Sequence, residues 1–478
     1  MIHRTSPESI DATVAAAVQA ALPAAASTRG QRGELLLALA DALEATRDTL
    51  VPLADAETGL GPGRLNGELD RTSFQLRAFA ERVHAGATHA VIDDAAVPGA
   101  PPRGHPHLLR VQVPLGPVAM FAASNFPFAF SVLGGDTVSA LAAGCPVIVK
   151  AHPGHPNLSR AVFELARATV RRLGWHDGTL AIVEGAEPDV GLQLVRHPDI
   201  ACVAFTGSVR GGQALWRECN ARTRPIPFFG ELGSINPVVL LPSALRGDQQ
   251  ALAGLLASSI AAGSGQFCTS PGLVLVPTDE EYDGFVTALG EALGRHPLHR
   301  MLTLGIREAF ESGVARWRAH QDTSAIRYSD QRDGEAPTAV IMQVSARSFM
   351  EDPTLREEVF GAAALVLRTN STAQTISVLR AVGGTLTVTL CGADSPNDEN
   401  AQIFIAAKAI AGRVLFAGVP TGVAISAAQQ HGGPWPASTA PQTTSVGFSA
   451  IERFLRPIAL QDPPGWVMQA VKASEVVV

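Results

Sequence analysis

HLLRVQVPLGPVAMFAAS, the sequence of residues 107–124, contains two apolar runs on either side of a Pro/Gly-rich turn. The alternation in LLRVQV is typical of a half-buried strand, and the turn predicts a second strand directly after it. Helical stretches such as residues 158–174 lie between the later apolar runs. Those runs are residues 146–150, 179–185 and 199–208. Strands that alternate with helices predict a parallel, doubly wound α/β sheet.

The chain extends on both sides of this region. Helical periodicity runs from about Ile10 to Val83, before the first predicted strand. A second unit begins near Asn236 and again alternates helices with strands, for example LVLVPT, TAVIMQV and GTLTVTLCG. The last stretch, SVGFSAIERFLRPIALQD, is apolar enough to be a packed end or a subunit contact.

Composition excludes several classes of protein. The 478 residues are 46% hydrophobic and 17% charged, with a net charge of −7 and no long basic run, so nucleic-acid binding is not expected. The five cysteines are scattered without CxxC pairs, which argues against a disulfide framework or a zinc ribbon. A reducing compartment is the simplest interpretation.

Three stretches are nearly free of charge and invite comparison with membrane spans. They are residues 111–149, with only Asp136, residues 225–245, with only Glu231, and residues 249–278, with none. Prolines and glycines interrupt all three. Turn-forming residues at this density fit a buried α/β core better than a lipid environment, so no membrane association is expected.

Two residues stand out as candidates for chemistry. Glu231 lies alone among apolar neighbours, where burial should raise its pKa towards the range of a general base, although a helix cap or an ion pair is an alternative. Cys268 follows Gly263 and Gly265, which favour a tight turn with an exposed nucleophile. A buried structural cysteine is the alternative for Cys268.

Weaker signals come from three further segments. Asn125 follows a predicted strand, where its amide could donate to an oxyanion or simply form a turn. FTGS at residues 205–208 is a strand-turn-helix junction that could bind a phosphate, or be an ordinary cap by Ser208. His152 and His155 lack the spacing and companions of a metal site, so no metal is expected.

Together these segments resemble the aldehyde dehydrogenase superfamily, from about Thr49 to the C-terminus. The resemblance is carried by ASNFP, VIVK, FTGS, GELG, GQFC and EEVFG, which occur in this order between Ala123 and Gly361. SNFPFAFSVLGGDTVSALAAGCPVIVKAHPGHP, GQFCTSPG and QQHGGPWPAST are similar to the branch that contains the α-ketoglutaric semialdehyde dehydrogenases and a bacterial NADP-linked fatty-aldehyde enzyme.

The resemblance implies a role for each matching residue. Cys268 would be the nucleophile, Asn125 would stabilise the oxyanion, and Glu231 would activate water. Lys150 would contact the adenine ribose of the cofactor, and Glu358 with Phe360 would hold the nicotinamide ribose. The remaining cofactor contacts would come from the strand-turn formed by Phe205, Thr206, Gly207 and Ser208.

The chain departs from the family pattern at three positions. Pro153 replaces the glutamate that hydrogen-bonds the ribose 2′-hydroxyl in many NAD-dependent relatives, so NADP is the preferred cofactor, with NAD possible. Ser234 replaces the second glycine after GELG, and Ala362 replaces the proline after EEVFG. Arg103 and Arg210 could contact a 2′-phosphate or face solvent.

The resemblance also implies the domain plan: an α/β fold with a Rossmann-like cofactor domain, an α/β catalytic domain and a small β extension for oligomer contacts. The expected bounds are residues 1–235 for the NAD(P)-binding domain, 236–435 for the catalytic domain and 436–478 for the C-terminal segment. A hairpin near residues 103–117 would contribute to oligomer contacts. A cytoplasmic homodimer or homotetramer is expected.

The implied reaction is NAD(P)-dependent oxidation of an aldehyde to an acid, most specifically α-ketoglutaric semialdehyde to 2-oxoglutarate. The alternatives are a medium-chain aliphatic or other semialdehyde substrate, an acyl transfer to coenzyme A, and a non-catalytic binding protein. A Cys–His hydrolase is a further alternative, although no histidine lies near Cys268 in the sequence. His431 could line the substrate entrance or cap a turn, and the residue that would bind a substrate carboxylate is not identified.

Overall fold

A computed structural model describes residues 3–88, 90–278, 281–327 and 335–473. The chain begins with four helices, which confirms the helical character predicted for this region; the second, third and fourth pack on one another, whereas the first packs against the parallel sheet that follows. Their bounds are Pro7–Ala25 (α1), Arg29–Ala45 (α2), Arg47–Thr58 (α3) and Pro62–His84 (α4). Leucines of α2 and α4, among them Leu36, Leu39, Leu69 and Leu76, share one buried cluster with the sheet that follows.

A short antiparallel pair comes next, formed by β1 (Ile92–Asp94) and β2 (Leu108–Pro114). The chain then enters a five-stranded parallel sheet, in which the predicted strands are confirmed. Its elements are β3 (Val118–Phe121), α5 (Gly135–Ala143), β4 (Val147–Lys150), α6 (Pro156–Arg172), β5 (Leu180–Val183), α7 (Pro188–Arg196), β6 (Cys202–Thr206), α8 (Val209–Ala221) and β7 (Phe228–Glu231).

The strand order in this sheet is β5-β4-β3-β6-β7. Numbered along the sheet's own strands, the order is 3-2-1-4-5, which matches the first five strands of a dinucleotide-binding fold. In such folds the ligand binds where the order reverses, here between β3 and β6. Every residue of β3 and β4 is buried, as expected for parallel strands with helices on both faces.

A second, seven-stranded sheet follows after five residues, 232–236. Its strand order is β10-β11-β12-β9-β8-β13-β14, and all pairs are parallel except β10 with β11. Its elements are β8 (Pro237–Leu240), α9 (Pro242–Leu245), α10 (Gln249–Ala261), β9 (Leu273–Pro277), α11 (Tyr282–Gly294), α12 (Leu304–Ala319), β10 (Ser324–Arg327), β11 (Val340–Ser345), α13 (Ala346–Glu351), β12 (Ala363–Thr369), α14 (Thr372–Val382), β13 (Thr385–Cys391), α15 (Asp398–Ile410) and β14 (Ala411–Leu415).

The end of the described chain returns to the first hairpin. Strand β15 (Leu455–Gln461) pairs with β2 in a three-stranded antiparallel sheet, and α16 (Gly465–Ala473) follows. The three charge-poor stretches form strands, turns and short helices of the buried core. No helix in the described residues is long and apolar enough to cross a bilayer. The domain bounds at residues 235 and 435 stay a prediction.

Candidate active site

The site lies where the two parallel sheets meet. Glu231 ends β7, at the carboxyl edge of the five-stranded sheet, and Pro237 begins β8, at the amino edge of the seven-stranded sheet. Because only residues 232–236 join these strands, the two edges must face each other at short range. Side chains from both edges can therefore meet in one cleft.

Cys268 lies in the loop before β9, at the amino edge of the seven-stranded sheet. Gly263, Ser264 and Gly265 have φ values of 56°, 56° and 73°, so the loop turns tightly as predicted. A side chain at Gly265 would lie 2.0 Å from the carbonyl carbon of Gly361, which leaves room for glycine alone. Cys268 is partly exposed, whereas the other four cysteines are buried.

Glu231 is buried and its carboxylate has two side-chain partners. Its Oε2 accepts a hydrogen bond from Ser445 Oγ, and its Oε1 lies 3.0 Å from His431 Nε2. The expectation that burial would raise the pKa of Glu231 is wrong. Burial does act in that direction, but His431, Ser445 and the thiol of Cys268 together outweigh it and hold the pKa below its ordinary value.

His431 links the carboxylate to the sulfur. Its Nε2 lies 3.4 Å from Cys268 Sγ as well as 3.0 Å from Glu231 Oε1. The backbone holds the ring in place, because the N–H of His431 donates to Thr444 Oγ1 and its carbonyl accepts from the N–H of Ser445, both at 2.8 Å. The fold thus supplies beside Cys268 the histidine that is absent from its sequence neighbourhood.

The thiol itself is a poor nucleophile in this resting arrangement. Burial raises the pKa of Cys268 well above its ordinary value, and the negative charges of Glu231 and Glu358 add to this effect. Formation of a thiolate therefore requires a proton acceptor at the sulfur. The carboxylate of Glu231 lies beside the thiol, and His431 Nε2 lies 3.4 Å from the sulfur.

Asn125 is buried beside the Cys268 loop. Its Nδ2 donates to the carbonyl of Gln266 at 2.9 Å, and its own carbonyl accepts from Arg64 Nη2 at 2.5 Å. Phe126 and Phe267 stack edge to face, with ring centroids 5.0 Å apart. Because a side-chain amide carries two N–H donors, one remains for an oxyanion at the sulfur.

Ser234, one of the departures from the family pattern, has a structural part. Its hydroxyl donates to Asn236 Oδ1 at 2.9 Å and shares a 2.7 Å hydrogen bond with Thr385. Asn236 Nδ2 in turn donates to the carbonyls of Cys268 and Ser270, at 2.8 and 3.0 Å. This network ties the loop of the nucleophile to the segment that follows Glu231.

Glu358 approaches the same segment from the loop before β12. Its Oε1 accepts from the backbone N–H of Ser234 at 3.1 Å, and a side chain at Gly233 would lie 2.4 Å from its Oε2. Glu358 and Phe360 line one cavity with Phe267. Although the residue is partly exposed, desolvation of its carboxylate raises the pKa of Glu358 to about 7.

The other expected cofactor residues lie along the carboxyl edge of the five-stranded sheet. Lys150 ends β4, and its buried Nζ donates to the carbonyls of Ala151 and Gly185 at 3.0 and 2.8 Å. One ammonium donor remains free for a ribose oxygen, which fits the expected cofactor. Burial lowers the pKa of Lys150 to about 8.

The turn formed by Phe205, Thr206, Gly207 and Ser208 lies on the same edge, one strand beyond β3 from Lys150. Gly207 and Ser208 are exposed, and Ser208 Oγ accepts from the N–H of Gly211 as the cap of α8. The predicted site residues thus form two groups. Glu231, Glu358 and Asn125 lie beside the loop that carries Cys268, whereas Lys150 and residues 205–208 line the sheet edge.

The two histidines with a possible metal role are accounted for by hydrogen bonds. His155 is fully buried between Ser159 Oγ and the carbonyl of Ala123, both at 3.0 Å, and His152 Nδ1 accepts from the N–H of Gly154. The ligand atoms of Glu231, Cys268 and His431, by contrast, lie within 4.8 Å of one another. That spacing would also admit a soft divalent cation.

Sequence reasoning missed Ser445 and left the contribution of His431 open. Ser445 lies in a TTSVGFS segment that resembles many turns, so no local signal marks it. His431 is flanked by Gly432 and Gly433, and a side chain at Gly433 would lie 2.4 Å from the carbonyl of Thr385. The signal available in the sequence was a histidine directly followed by two glycines.

Comparison with known proteins gives a consistent result. The model of the family described as "Aldehyde dehydrogenase family" matches residues 1–434. The chain is 43% identical to alpha-ketoglutaric semialdehyde dehydrogenase 2 of Azospirillum brasilense, over 91% of this chain and 83% of the relative. It is 38% identical to alpha-ketoglutaric semialdehyde dehydrogenase of Acinetobacter baylyi, over 97% and 88%.

A solved structure has the same fold. Betaine aldehyde dehydrogenase of Staphylococcus aureus superposes with a TM-score of 0.80 at 20% identity, over 96% of this chain and 89% of the other. The expected fold class, with a Rossmann-like sheet and a second α/β sheet, is confirmed.

Proposed function

The chain belongs to the aldehyde dehydrogenase family, and we propose that its substrate is alpha-ketoglutaric semialdehyde, which it oxidises to 2-oxoglutarate. It is an oxidoreductase that acts on aldehydes with NAD(P). The substrate proposal is supported by two relatives, 43% and 38% identical, whose names carry that substrate. A medium-chain aliphatic aldehyde or another semialdehyde is the alternative.

One observation carries the mechanism: Cys268 Sγ, His431 Nε2 and Glu231 Oε1 lie within 4.8 Å of one another. In the first step the Cys268 proton passes to the ionised carboxylate of Glu231, which then releases it to solvent, and the thiolate adds to the aldehyde carbon to form a thiohemiacetal. The free N–H of Asn125 Nδ2 and the backbone N–H of Cys268 stabilise the carbonyl oxygen as it becomes negative. These roles of Cys268 and Asn125 are part of the proposal.

The cofactor, when bound, supplies a nicotinamide ring that accepts hydride from the thiohemiacetal carbon, which leaves a thioester on Cys268. Glu358 and Phe360 would hold its nicotinamide ribose, and Lys150 with residues 205–208 would hold the adenosine half. The donor set fits such a group, since Lys150 Nζ contacts carbonyl oxygens only and retains one donor.

Hydrolysis of the thioester completes the reaction. Glu231 removes a proton from a water molecule as that water adds to the thioester carbon, and the C–S bond breaks to release the acid and the Cys268 thiolate. Because its pKa is lowered, Glu231 is ionised and ready to accept a proton at neutral pH. The presence of this base favours water over coenzyme A as the acyl acceptor.

We further propose NADP as the preferred cofactor. Proline occupies position 153, and the acids that influence Lys150 are themselves neutralised. Glu184 pairs with Arg160 at 2.8 Å, and Asp189 pairs with Arg4. A 2′-phosphate would therefore meet little repulsion beside Lys150. Pro153→Glu should lower kcat/KM with NADP by about tenfold relative to that with NAD, through like-charge repulsion.

A homo-oligomer in the cytoplasm is the proposed state of the enzyme. Strands β2 and β15, from regions expected to contribute oligomer contacts, share the three-stranded sheet. Ile92, Val97 and Trp466 are exposed near it, and such apolar side chains favour burial against a second subunit. The five free cysteines fit a reducing compartment. Light scattering after gel filtration gives the mass.

The test of the proposed function is a panel of aldehydes with both cofactors. We expect the highest kcat/KM for alpha-ketoglutaric semialdehyde, with one acid formed per cofactor reduced and no turnover in Cys268→Ser. A higher kcat/KM for neutral aliphatic aldehydes would overturn the substrate proposal while leaving the reaction class intact.

A second candidate activity is cofactor-independent ester hydrolysis, favoured by the 3.4 Å approach of His431 to Cys268. A Cys–His pair can form and hydrolyse an acyl-enzyme without any redox step. Release of p-nitrophenol from p-nitrophenyl acetate without cofactor, and its loss in Cys268→Ser, would demonstrate this activity.

A further inference from the structure

Two arginines from distant parts of the chain converge near the sulfur. Arg71 lies on α4, on the helix face that also carries Arg64 and Glu68, since these positions are spaced by four and three residues. Arg413 lies on β14, at the far edge of the seven-stranded sheet. Both side chains are partly buried.

A single loop segment lies between the two guanidinium groups. Arg71 Nη1 donates to the carbonyl of Val423 at 2.6 Å. Arg413 donates to the carbonyls of Gly422 and Pro420, at 3.0 and 2.6 Å. This segment leads to His431 within a few residues, so the arginines flank the same loop that supplies the ring beside Cys268.

Neither guanidinium forms a salt bridge with a carboxylate in the described ranges. Only one donor of Arg71 is used, at Val423, and Arg413 Nε is buried without a hydrogen-bond partner. Elsewhere on α4, Arg77 pairs with Asp41 at 2.7 Å in the ordinary way. The nearest acid on the same helix face, Glu68, acts on Arg71, but its carboxylate already accepts from the backbone N–H groups of Phe128 and Ala129, and burial raises its pKa to about 7. Desolvated guanidinium groups without a salt bridge are costly, so this region favours an incoming anion.

The anion site lies within electrostatic reach of the reacting sulfur. On the same face of α4, the guanidinium of Arg64 lies 4.8 Å from the ring centroid of Phe267, the residue before Cys268. Burial lowers the pKa of Arg71 and of Arg413, whereas the charges of Glu68 and Cys268 raise that of Arg71 and the charge of Cys268 raises that of Arg413. A ligand attached to the sulfur at one end can therefore place a charge near these arginines at its other end. The guanidinium fork is well suited to a carboxylate.

We propose that Arg71 and Arg413 together bind the carboxylate of an ω-oxo acid substrate whose aldehyde carbon is attacked by Cys268. The proposal rests on the proposed function and adds the residues that select for an anionic substrate. It assigns the two arginines to binding and leaves the chemical steps to the groups around the sulfur.

The experiment measures kcat/KM for alpha-ketoglutaric semialdehyde and for pentanal, an uncharged aldehyde with the same number of carbons. Arg71→Met and Arg413→Met should each lower kcat/KM for the semialdehyde by about 10- to 100-fold, as expected for a lost charged hydrogen bond. The rate with pentanal should change by less than about twofold, because no carboxylate is bound. Arg77→Met, on the same helix, is the matched control and should change neither.

Lysine variants keep the test decisive if a methionine variant fails to fold. Arg71→Lys and Arg413→Lys should keep part of the preference for the semialdehyde that the methionine variants lose. Lysine retains the positive charge but lacks the two parallel N–H donors of the guanidinium group. Equal losses with both substrates would overturn the proposal, because a merely structural arginine affects them alike.

A separate readout distinguishes this proposal from the substrate proposal. If the unmodified enzyme prefers pentanal, the substrate proposal fails, and inhibition by glutarate still tests the anion site. The inhibition constant of glutarate against pentanal should rise by about 10- to 100-fold in Arg71→Met and Arg413→Met. An unchanged constant would overturn the assignment of these arginines.

Discussion

Two carboxylates flank Cys268, and their pKa values move in opposite directions. The Glu231 pocket, formed by Glu231, His431 and Ser445, lowers the pKa of its acid. The Glu358 pocket, formed by Glu358, Gly233 and Ser234, raises the pKa of its acid to about 7. Both carboxylates are desolvated, so burial alone does not decide their charge.

The difference lies in the donors. Glu231 has an imidazole at 3.0 Å and a hydroxyl, whereas Glu358 has a single backbone N–H at 3.1 Å. A carboxylate with strong donors stays ionised despite burial, and one with a single donor and a pKa of about 7 is only about half ionised at neutral pH. The pocket proposed to activate water thus holds an ionised carboxylate, whereas the other carries only part of a negative charge beside the thiol.

Removal of the Glu231 carboxylate should have the largest effect. In Glu231→Gln we expect acid release to fall by about 10²- to 10⁴-fold, because general-base catalysis is lost. Acyl-enzyme should then accumulate, as a burst of reduced cofactor and a mass increase on Cys268. Glu357→Gln, at an exposed acid paired with Arg316 at 2.9 Å, is the control. Unchanged acid release in Glu231→Gln would show that another group is the base.

Loss of the imidazole in His431→Gln should have the next largest effect. The rate of alkylation of Cys268 by iodoacetamide at pH 8 should fall by about 10- to 100-fold, since the imidazole that lies 3.4 Å from the sulfur and keeps Glu231 ionised is gone. Peptide mass spectrometry identifies the modified cysteine, and the buried Cys145 and Cys202 serve as internal controls. An unaltered rate would contradict a contribution of His431 to thiolate formation.

The two acids should also make opposite contributions to stability as pH changes. The raised pKa of Glu358 means that its ionisation opposes folding as pH rises from about 4.5, the ordinary value, through about 7. Glu358→Gln should therefore gain about 1–3 kcal/mol of stability relative to the unmodified enzyme between pH 5 and pH 8.

Glu231 should behave in the reverse sense. Its lowered pKa contributes stability above the ordinary value of 4.5, and that contribution is lost as pH falls through the folded-state pKa. Glu231→Gln should thus be more destabilising at pH 8 than at acidic pH. Thermal melts of both variants, with Glu357→Gln as reference, measure the two slopes. Slopes of the same sign would remove the contrast between the pockets.

The smallest effect is expected for Ser445→Ala. Loss of this donor should raise the pKa of Glu231. The acidic limb of the pH profile for the rate of thioester hydrolysis should therefore move to higher pH by about 0.5–1 unit. Single-turnover rates across pH 4–7 give the shift. Ser438→Ala removes a buried hydroxyl that accepts from the N–H of Ala440 and should leave the limb in place. An equal shift in both variants would indicate a general packing effect.

The contrast between the pockets also shows what the sequence could predict. Alternation and turn residues located β3, β4, β5 and β6, because each strand and its bounding turns are local in the chain. The charge-poor surroundings of Glu231 and the glycines near Cys268 marked both residues. The direction of the pKa change in Glu231 could not be predicted, since its donors lie about 200 residues away, in contacts that only the tertiary fold creates.

The same reason explains the missed arginines. Arg71 has the surface-like spacing of a charged helix position, and Arg413 lies within a strand without any distinctive neighbours. Their shared property, partial burial without a salt bridge among the described residues, depends on two separate elements meeting at residues 420–423. Single-sequence patterns carry no information about such a meeting.

The five-residue link 232–236 has a consequence for motion within the enzyme. It joins the base to Asn236, whose amide holds the carbonyl of Cys268 at 2.8 Å. Glu231 and Cys268 are thus both attached to one short span of backbone. Because of this attachment, we expect their separation to stay the same when the cleft opens. On the side of Glu358, by contrast, the connection to this span in the described residues is one hydrogen bond, donated by the backbone N–H of Ser234. A thioester on Cys268 would therefore keep its position relative to Glu231 while the cofactor is exchanged beside Glu358.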